Sequence, residues 1–197
     1  LLFFEPSTRT KLSFELAALR LGLRCFSLSS ASESSLSKGE SFEETLLTMA
    51  SMEPDLLLIR YSKSAEVDQA LRELSIPVIN AGSGGLSHPT QALLDAFTMQ
   101  EHGKDISKQK VLIVGDVAHS RVANSNLSLL KSLGAEVAIS GPKEFLPSEG
   151  PWADVPQFST LDEGIKWCTV CMGLRIQSER HGGEKNTISH DEYRKNF

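Results

Sequence analysis

The sequence predicts an α/β chain of two domains, each a parallel β-sheet flanked by helices. Three observations carry that prediction. Strand and helix patterns alternate nearly throughout the 197 residues. The segment Asp55-Leu56-Leu57-Leu58-Ile59 is a continuous apolar run, as parallel strands covered on both faces require. The alternation also restarts at Lys110 after the polar stretch Gly103 to Gln109, which sets the domains at 1–103 and 104–197.

Taken in order, Leu1 to Phe4 reads as a buried strand. After Pro6 the leucines 12, 16, 19 and 23 recur at helical spacing, with Gly22 as a stop. Cys25 to Leu28 reads as a short strand running into a serine-rich loop, Ser29 to Ser37. Ser41 with Glu44 is a capping box that opens a helix to about Met52. The 55–59 strand delivers Arg60, a helix covers about 65–74, and 77–80 is a strand before a glycine-rich turn. Pro89 suits the first turn of a helix running to about His102. In the second array, 110–115 is a strand, 121–133 a helix stopped by Gly134, and 136–140 a strand. A loop-rich stretch then leads to a helix at 161–165 and a strand at 167–172. The chain starts on an apparent buried strand without Met and ends, at 191–197, on a helix just begun, so truncation at both ends is expected.

Composition narrows the function classes. Hydrophobic content of 40% and charged content of 23% are those of a globular protein. A net charge of −5 argues against a general nucleic-acid or acidic-membrane binder, although a local arginine cluster can still focus an anion in a cleft. Three cysteines form no disulfide framework, which favours a reducing, cytoplasmic compartment. No apolar run approaches the roughly 18 residues of a membrane span.

The chemistry-bearing residues fall after predicted strands, where ligands of parallel sheets bind. Ser7-Thr8-Arg9-Thr10 sits at a helix start, where unpaired N–H groups, hydroxyls and a guanidinium fork together suit phosphate. An ordinary N-cap at Ser7 or Thr8 is the competing reading. Arg60, and His88 with Gln91, follow later strands; arginines fit a phosphate or carboxylate, and a histidine can donate to a carbonyl oxygen or oxyanion. Arg121 opens a helix, where a cation is disfavoured unless an anion neutralises it. Arg175, Gln177 and Arg180 follow the last strand. Cys168 and Cys171 have redox spacing but lie on opposite faces of a strand, so they read as buried cysteines rather than as a metal or redox pair. Gly115-Asp116 begins no dinucleotide fingerprint, and no P-loop is present.

Phe3-Phe4-Glu5-Pro6-Ser7-Thr8-Arg9-Thr10, followed by Lys38-Gly39-Glu40, Arg60, His88-Pro89-Thr90-Gln91 with Leu94-Asp95, Gly115-Asp116 with Arg121, and Arg175-Ile176-Gln177-Ser178-Glu179-Arg180, resembles the transcarbamylase family. Arg121 and the segment from Arg175 resemble its aspartate branch. The resemblance implies transfer of a carbamoyl group from carbamoyl phosphate to the amino group of L-aspartate, in pyrimidine synthesis, without metal or cofactor. It implies that Ser7, Thr8, Arg9 and Thr10 hold the phosphate with Arg60. Thr10, Arg60 and His88 would polarise the carbamoyl oxygen, and Gln91 would hold its nitrogen. Arg121, Arg175 and Gln177 would grip the aspartate carboxylates. Ser34 and Lys38 would reach a neighbour's site in a homotrimer, Lys38 binding aspartate there, with regulatory or pathway-enzyme subunits possible further partners. The resemblance implies that the family's stretch ahead of the first strand, its later His-Pro-containing loop and its terminal helix are expected to lie outside this chain. A transcarbamylase for another amino acid such as ornithine, or a non-catalytic assembly or binding subunit, are the alternatives.

Overall fold

In the computed structural model residues 1–28 and 35–176 are described. Contacts divide the chain into two compact units, Leu1–Thr90 and Gln91–Phe197.

The first unit contains β1 (Leu2–Phe3), α1 (Thr8–Arg20), a 3-10 turn (Ser35–Lys38), α2 (Phe42–Ala50), β2 (Leu57–Tyr61), α3 (Ser64–Glu73) and β3 (Val78–Ser83). Its strands are parallel in the order β1-β2-β3, and Leu28 bridges to Leu2 on the free side of β1. The chain therefore leaves β1 for one side through α1 and returns to the other side in β2. That makes the C-terminal ends of β1 and β2 the switch point, where an open α/β sheet offers a crevice. Alternation along β2 feeds two cores. Leu57 and Ile59 pack with Phe4, Phe42, Leu46 and Val67, while Leu58 packs with Phe3 and Ala81. Phe42 stacks on Tyr61 at 4.3 Å between centroids, and Phe4 meets both rings edge-on, so the chain is anchored just before Glu5.

The second unit holds most of α4 (Pro89–Glu101), then a 3-10 turn (Ile106–Lys108), β4 (Lys110–Val114), α5 (Arg121–Ser132), β5 (Glu136–Ser140), two 3-10 turns (Lys143–Phe145 and Gly150–Trp152), β6 (Gln157–Phe158), α6 (Leu161–Trp167) and β7 (Val170–Gly173). Its sheet is parallel with the order β6-β5-β4-β7. Val111 and Ile113 face Leu127 and Leu130 of α5 with Ala96 and Met99 of α4. Leu112 instead lies against Gly164 of α6, where an added Cβ would come within 2.7 Å of it. With α5 and α6 on opposite faces, the chain diverges between β4 and β7, and their C-terminal ends form a second switch point.

Among the departures from the sequence reading, three bear on packing. The helix of the recurring leucines forms, yet Leu12, Leu16, Leu19 and Leu23 are 52%, 51%, 71% and 54% exposed. At about 100° per residue Phe14 lies on the opposite side of α1 from that stripe, and Phe14 is the residue that docks on Phe3 and Leu58. The expected strand at 25–28 reduces to a single bridge at Leu28, whose N–H donates to the Leu1 carbonyl and whose carbonyl accepts from the Phe3 N–H. The last strand begins at Val170, since the Thr160–Glu163 capping box starts α6 and carries it through Trp167. The buried-cysteine reading fails with it: Cys171 is exposed and Cys168 half-buried, because the burial pattern of β7 leaves alternate residues open. No group of residues that could hold a metal ion occurs among the described residues. None of the described helices is long and apolar enough to cross a membrane. The expected helix at 191–197 lies outside the described residues.

Candidate active site

In the first unit the candidate residues gather at the β1/β2 switch point. Ser7 takes the N-cap position of α1 with φ −161°, but its hydroxyl makes no capping hydrogen bond, so the ordinary-cap reading is not what forms. The first turn contains no acidic residue. It carries Arg9 instead, exposed and without an ion pair among the described residues, next to Thr8 and Thr10. A helix start with an idle hydroxyl and an added cation is electrostatically incomplete without an anion.

Arg60 stands beside this loop. It is in register with Phe3, its carbonyl accepts from the Phe4 N–H at 2.9 Å, and its side chain is 8% exposed. Nη2 forms an ion pair with Glu5 at 2.7 Å, and Nη1 donates to the Ala81 carbonyl at 3.2 Å. Nη1 also lies 3.5 Å from His88 Nε2. An arginine can only donate, so Nε2 is the acceptor in this contact, while Nδ1 lies 3.4 Å from Thr90 Oγ1. Gly82 permits this packing: at φ +115° its added Cβ would stand 2.9 Å from Arg60 Nη1 and 3.5 Å from His88 Cδ2. A buried guanidinium requires a partner, which Glu5 supplies until an anionic ligand competes for it.

In the second unit the loops after β4 and β7 meet. The Leu174 N–H donates to the Val114 carbonyl at 2.8 Å. Gly115, at φ +113°, lets the chain pass where a Cβ would come within 2.5 Å of the Leu174 carbonyl oxygen. Ser120 caps α5 by accepting from the Ala123 N–H, and Arg121 is its first helical residue with no acidic residue in that turn. Arg175 is exposed two residues beyond β7, with Nη1 on the Ile176 carbonyl at 3.2 Å. Asp116, fully buried, accepts from Nδ1–H of His119 at 2.7 Å and braces the loop that leads to Arg121. Gln91 lies in the first turn of α4, three residues after His88, and its amide donates to Asp95 at 2.9 Å. Lys38 ends the 3-10 turn and is exposed. Ser34, Gln177 and Arg180 lie outside the described residues. Sequence reasoning missed Glu5, Gly82 and the Asp116–His119 pair. Glu5 and Asp116 stood in motifs that carry the resemblance, and Gly82 in a glycine-rich turn after a strand, but none of these gave its packing role.

Residues 1–101 match the family described as aspartate/ornithine carbamoyltransferase, carbamoyl-P binding domain. The chain belongs to this family. Among transcarbamylase relatives, the aspartate carbamoyltransferase catalytic subunit of Desulfitobacterium hafniense is 50% identical over 179 residues, covering 91% of this chain and 57% of the relative. That of Maricaulis maris is 45% identical over 182 residues, covering 92% and 57%. Among solved structures, the catalytic subunit of aspartate transcarbamoylase from M. jannaschii has a TM-score of 0.80 at 33% identity, over 98% of this chain and 64% of that one. The Trypanosoma cruzi aspartate transcarbamoylase in complex with carbamoyl aspartate and phosphate has a TM-score of 0.74 at 30% identity, over 98% and 66%. This transcarbamylase chain thus spans a little over half the length of the curated relatives it matches.

Proposed function

We propose that the protein carrying this chain transfers the carbamoyl group of carbamoyl phosphate to the α-amino nitrogen of L-aspartate, giving N-carbamoyl-L-aspartate and phosphate in pyrimidine synthesis. The observation that carries the reading is the anion-seeking start of α1, with the Ser7 hydroxyl making no cap and Arg9 in a turn without acids, beside buried Arg60 and half-buried His88. Residues 1–103 would form the carbamoyl phosphate-binding domain and 104–197 the aspartate-binding domain; the family match over 1–101 supports the first.

In the reaction the amine nitrogen attacks the carbamoyl carbon. A C–N bond forms, the bond from carbon to the phosphate oxygen breaks, phosphate leaves with the electron pair, and the amine gives up one proton. Ser7, Thr8, Arg9 and Thr10 hold the phosphate on backbone N–H groups, hydroxyls and a guanidinium, which also stabilises it as a leaving group. Thr10, Arg60 and His88 act on the carbamoyl oxygen, whose growing charge in the tetrahedral transition state is stabilised by donors aimed at it. Gln91 holds the carbamoyl nitrogen. Arg121 and Arg175, with Gln177, bind the carboxylates of aspartate, so the chemistry is positioning plus electrostatic stabilisation. Lys38 and Ser34 complete the site of a neighbouring copy in a homotrimer, in the cytoplasm, open to regulatory or pathway-enzyme subunits.

Product analysis tests the reading. Supplied with carbamoyl phosphate and an equimolar mixture of L-aspartate and L-ornithine, the protein is expected to release carbamoyl aspartate and phosphate in equal amounts. Citrulline without carbamoyl aspartate overturns the aspartate assignment. Absence of both products points to an assembly or binding subunit.

A further inference from the structure

Asp95 follows Gln91 by one helical turn of α4, and both of its carboxylate oxygens are engaged within the second unit. Gln91 Nε2 donates to Oδ1 at 2.9 Å, and Asn126 Nδ2, reaching from α5, donates to Oδ2 at 2.8 Å. Asn126 is fully buried, its amide also donates to the Val122 carbonyl at 3.1 Å, and its Oδ1 has no hydrogen-bond partner. A buried amide that leaves its own oxygen unsatisfied acts through its donors, and one of those donors fixes Asp95.

The same spacing occurs at Gln69 and Glu73 in an ordinary form. There the amide is shared between both carboxylate oxygens, at 3.1 and 3.2 Å, on an exposed helix face. Asp95 differs because one oxygen is held by a neighbouring helix, leaving the other for Gln91 alone. A carboxylate only accepts, so it selects the NH₂ end of the Gln91 amide and turns Oε1 away as an acceptor.

We infer that Asp95 is a positioning residue that sets the polarity of Gln91, so that the first turn of α4 offers an acceptor to a ligand bearing an N–H and discriminates carbamoyl phosphate from acyl phosphates that lack one. The inference rests on the proposed function, which places Gln91 at the carbamoyl nitrogen. A site built to accept a substrate N–H rejects an isostere without it, because its own polar group is then left unpaired.

The test is calorimetric titration of the chain, as wild type and as Asp95→Asn, with carbamoyl phosphate, with acetyl phosphate and with inorganic phosphate. The wild type is expected to prefer carbamoyl over acetyl phosphate by about tenfold or more. Asp95→Asn, whose amide can donate as well as accept, frees Gln91 to turn, and the preference falls roughly fivefold or more while phosphate affinity stays within about twofold. An unchanged preference in the folded variant overturns the inference, and so does an equal loss for all three ligands, which is the mark of a merely structural role. A wild type that binds phosphate without preferring the carbamoyl compound overturns this inference alone; one that binds none of the three overturns the proposed function as well. A second measurement needs no variant. In the wild type the Gln91 side-chain NH₂ stays on Asp95, so its nuclear Overhauser contact with the Asp95 β-protons is expected to persist when carbamoyl phosphate binds, and loss of that contact overturns the inference.

Discussion

Gly82→Ala is the perturbation that most sharply separates the geometry around Arg60 from generic loop strain. The new Cβ would stand 2.9 Å from Arg60 Nη1, about half an ångström inside ordinary contact. The guanidinium cannot swing away freely, since Nη2 is paired with Glu5 at 2.7 Å, Nη1 bonds Ala81, and the side chain is 8% exposed. The φ of +115° also lies outside the left-handed well that L residues visit. Backbone strain of about 1–3 kcal/mol is therefore expected in stability. A displaced Arg60 should in addition weaken phosphate binding by about tenfold, since misplacement of an ångström costs up to about a hundredfold. Gly103→Ala is the control, because φ is +70° and nothing lies within 4 Å of its Cβ; it should cost about 1–2 kcal/mol with phosphate affinity unchanged. Urea unfolding and phosphate titration on both variants decide the matter, and equal phosphate affinities for the two would refute the reasoning.

Three further outcomes follow from the described geometry. Ser120→Ala removes the cap of α5 at a residue that is 1% exposed, and urea unfolding should show a loss of about 1 kcal/mol. If Arg121 grips an aspartate carboxylate, as proposed, Arg121→Lys exchanges a fork for a point charge, and aspartate affinity should fall about tenfold, with carbamoyl phosphate affinity held, in titrations of each ligand. The backbone N–H of Ser41, and then its hydroxyl, hold the Glu44 carboxyl below its ordinary value. A folded-state pKa so lowered contributes stability that is present above the unfolded value and is lost as pH falls through the folded one. Glu44→Gln should therefore flatten the acid limb of stability, and parallel curves for variant and wild type through that limb would contradict it.

The alternation of elements was legible because each carries its own local signal. The Ser41–Glu44 capping box, Pro89 at a helix start and the apolar run of β2 needed no tertiary information. The strand-end positions of Arg60, His88 and Arg121 were legible for the same reason, since connectivity alone places them. What escaped is what only packing decides. Glu5 has no sequence relation to Arg60, and their pairing exists because β1 and β2 are in parallel register at Phe3 and Arg60. The positive φ of Gly82 matters only because Arg60 and His88 lie over it. The leucine stripe of α1 shows the limit of periodicity: it predicts an apolar face, while which side docks is fixed by Phe14. Cys171 was misjudged because its burial depends on how β7 is covered, not on the strand itself.

The central claim is that an oxygen-rich anion binds where α1 begins, next to Arg60 and His88. Backbone amide resonances recorded while inorganic phosphate is titrated onto the chain test this most directly. The account predicts that the amides of Thr8, Arg9 and Thr10 move together with those of Arg60 and His88, with one common midpoint. Shifts confined to other residues, or no saturable shift at 8–10, would contradict it.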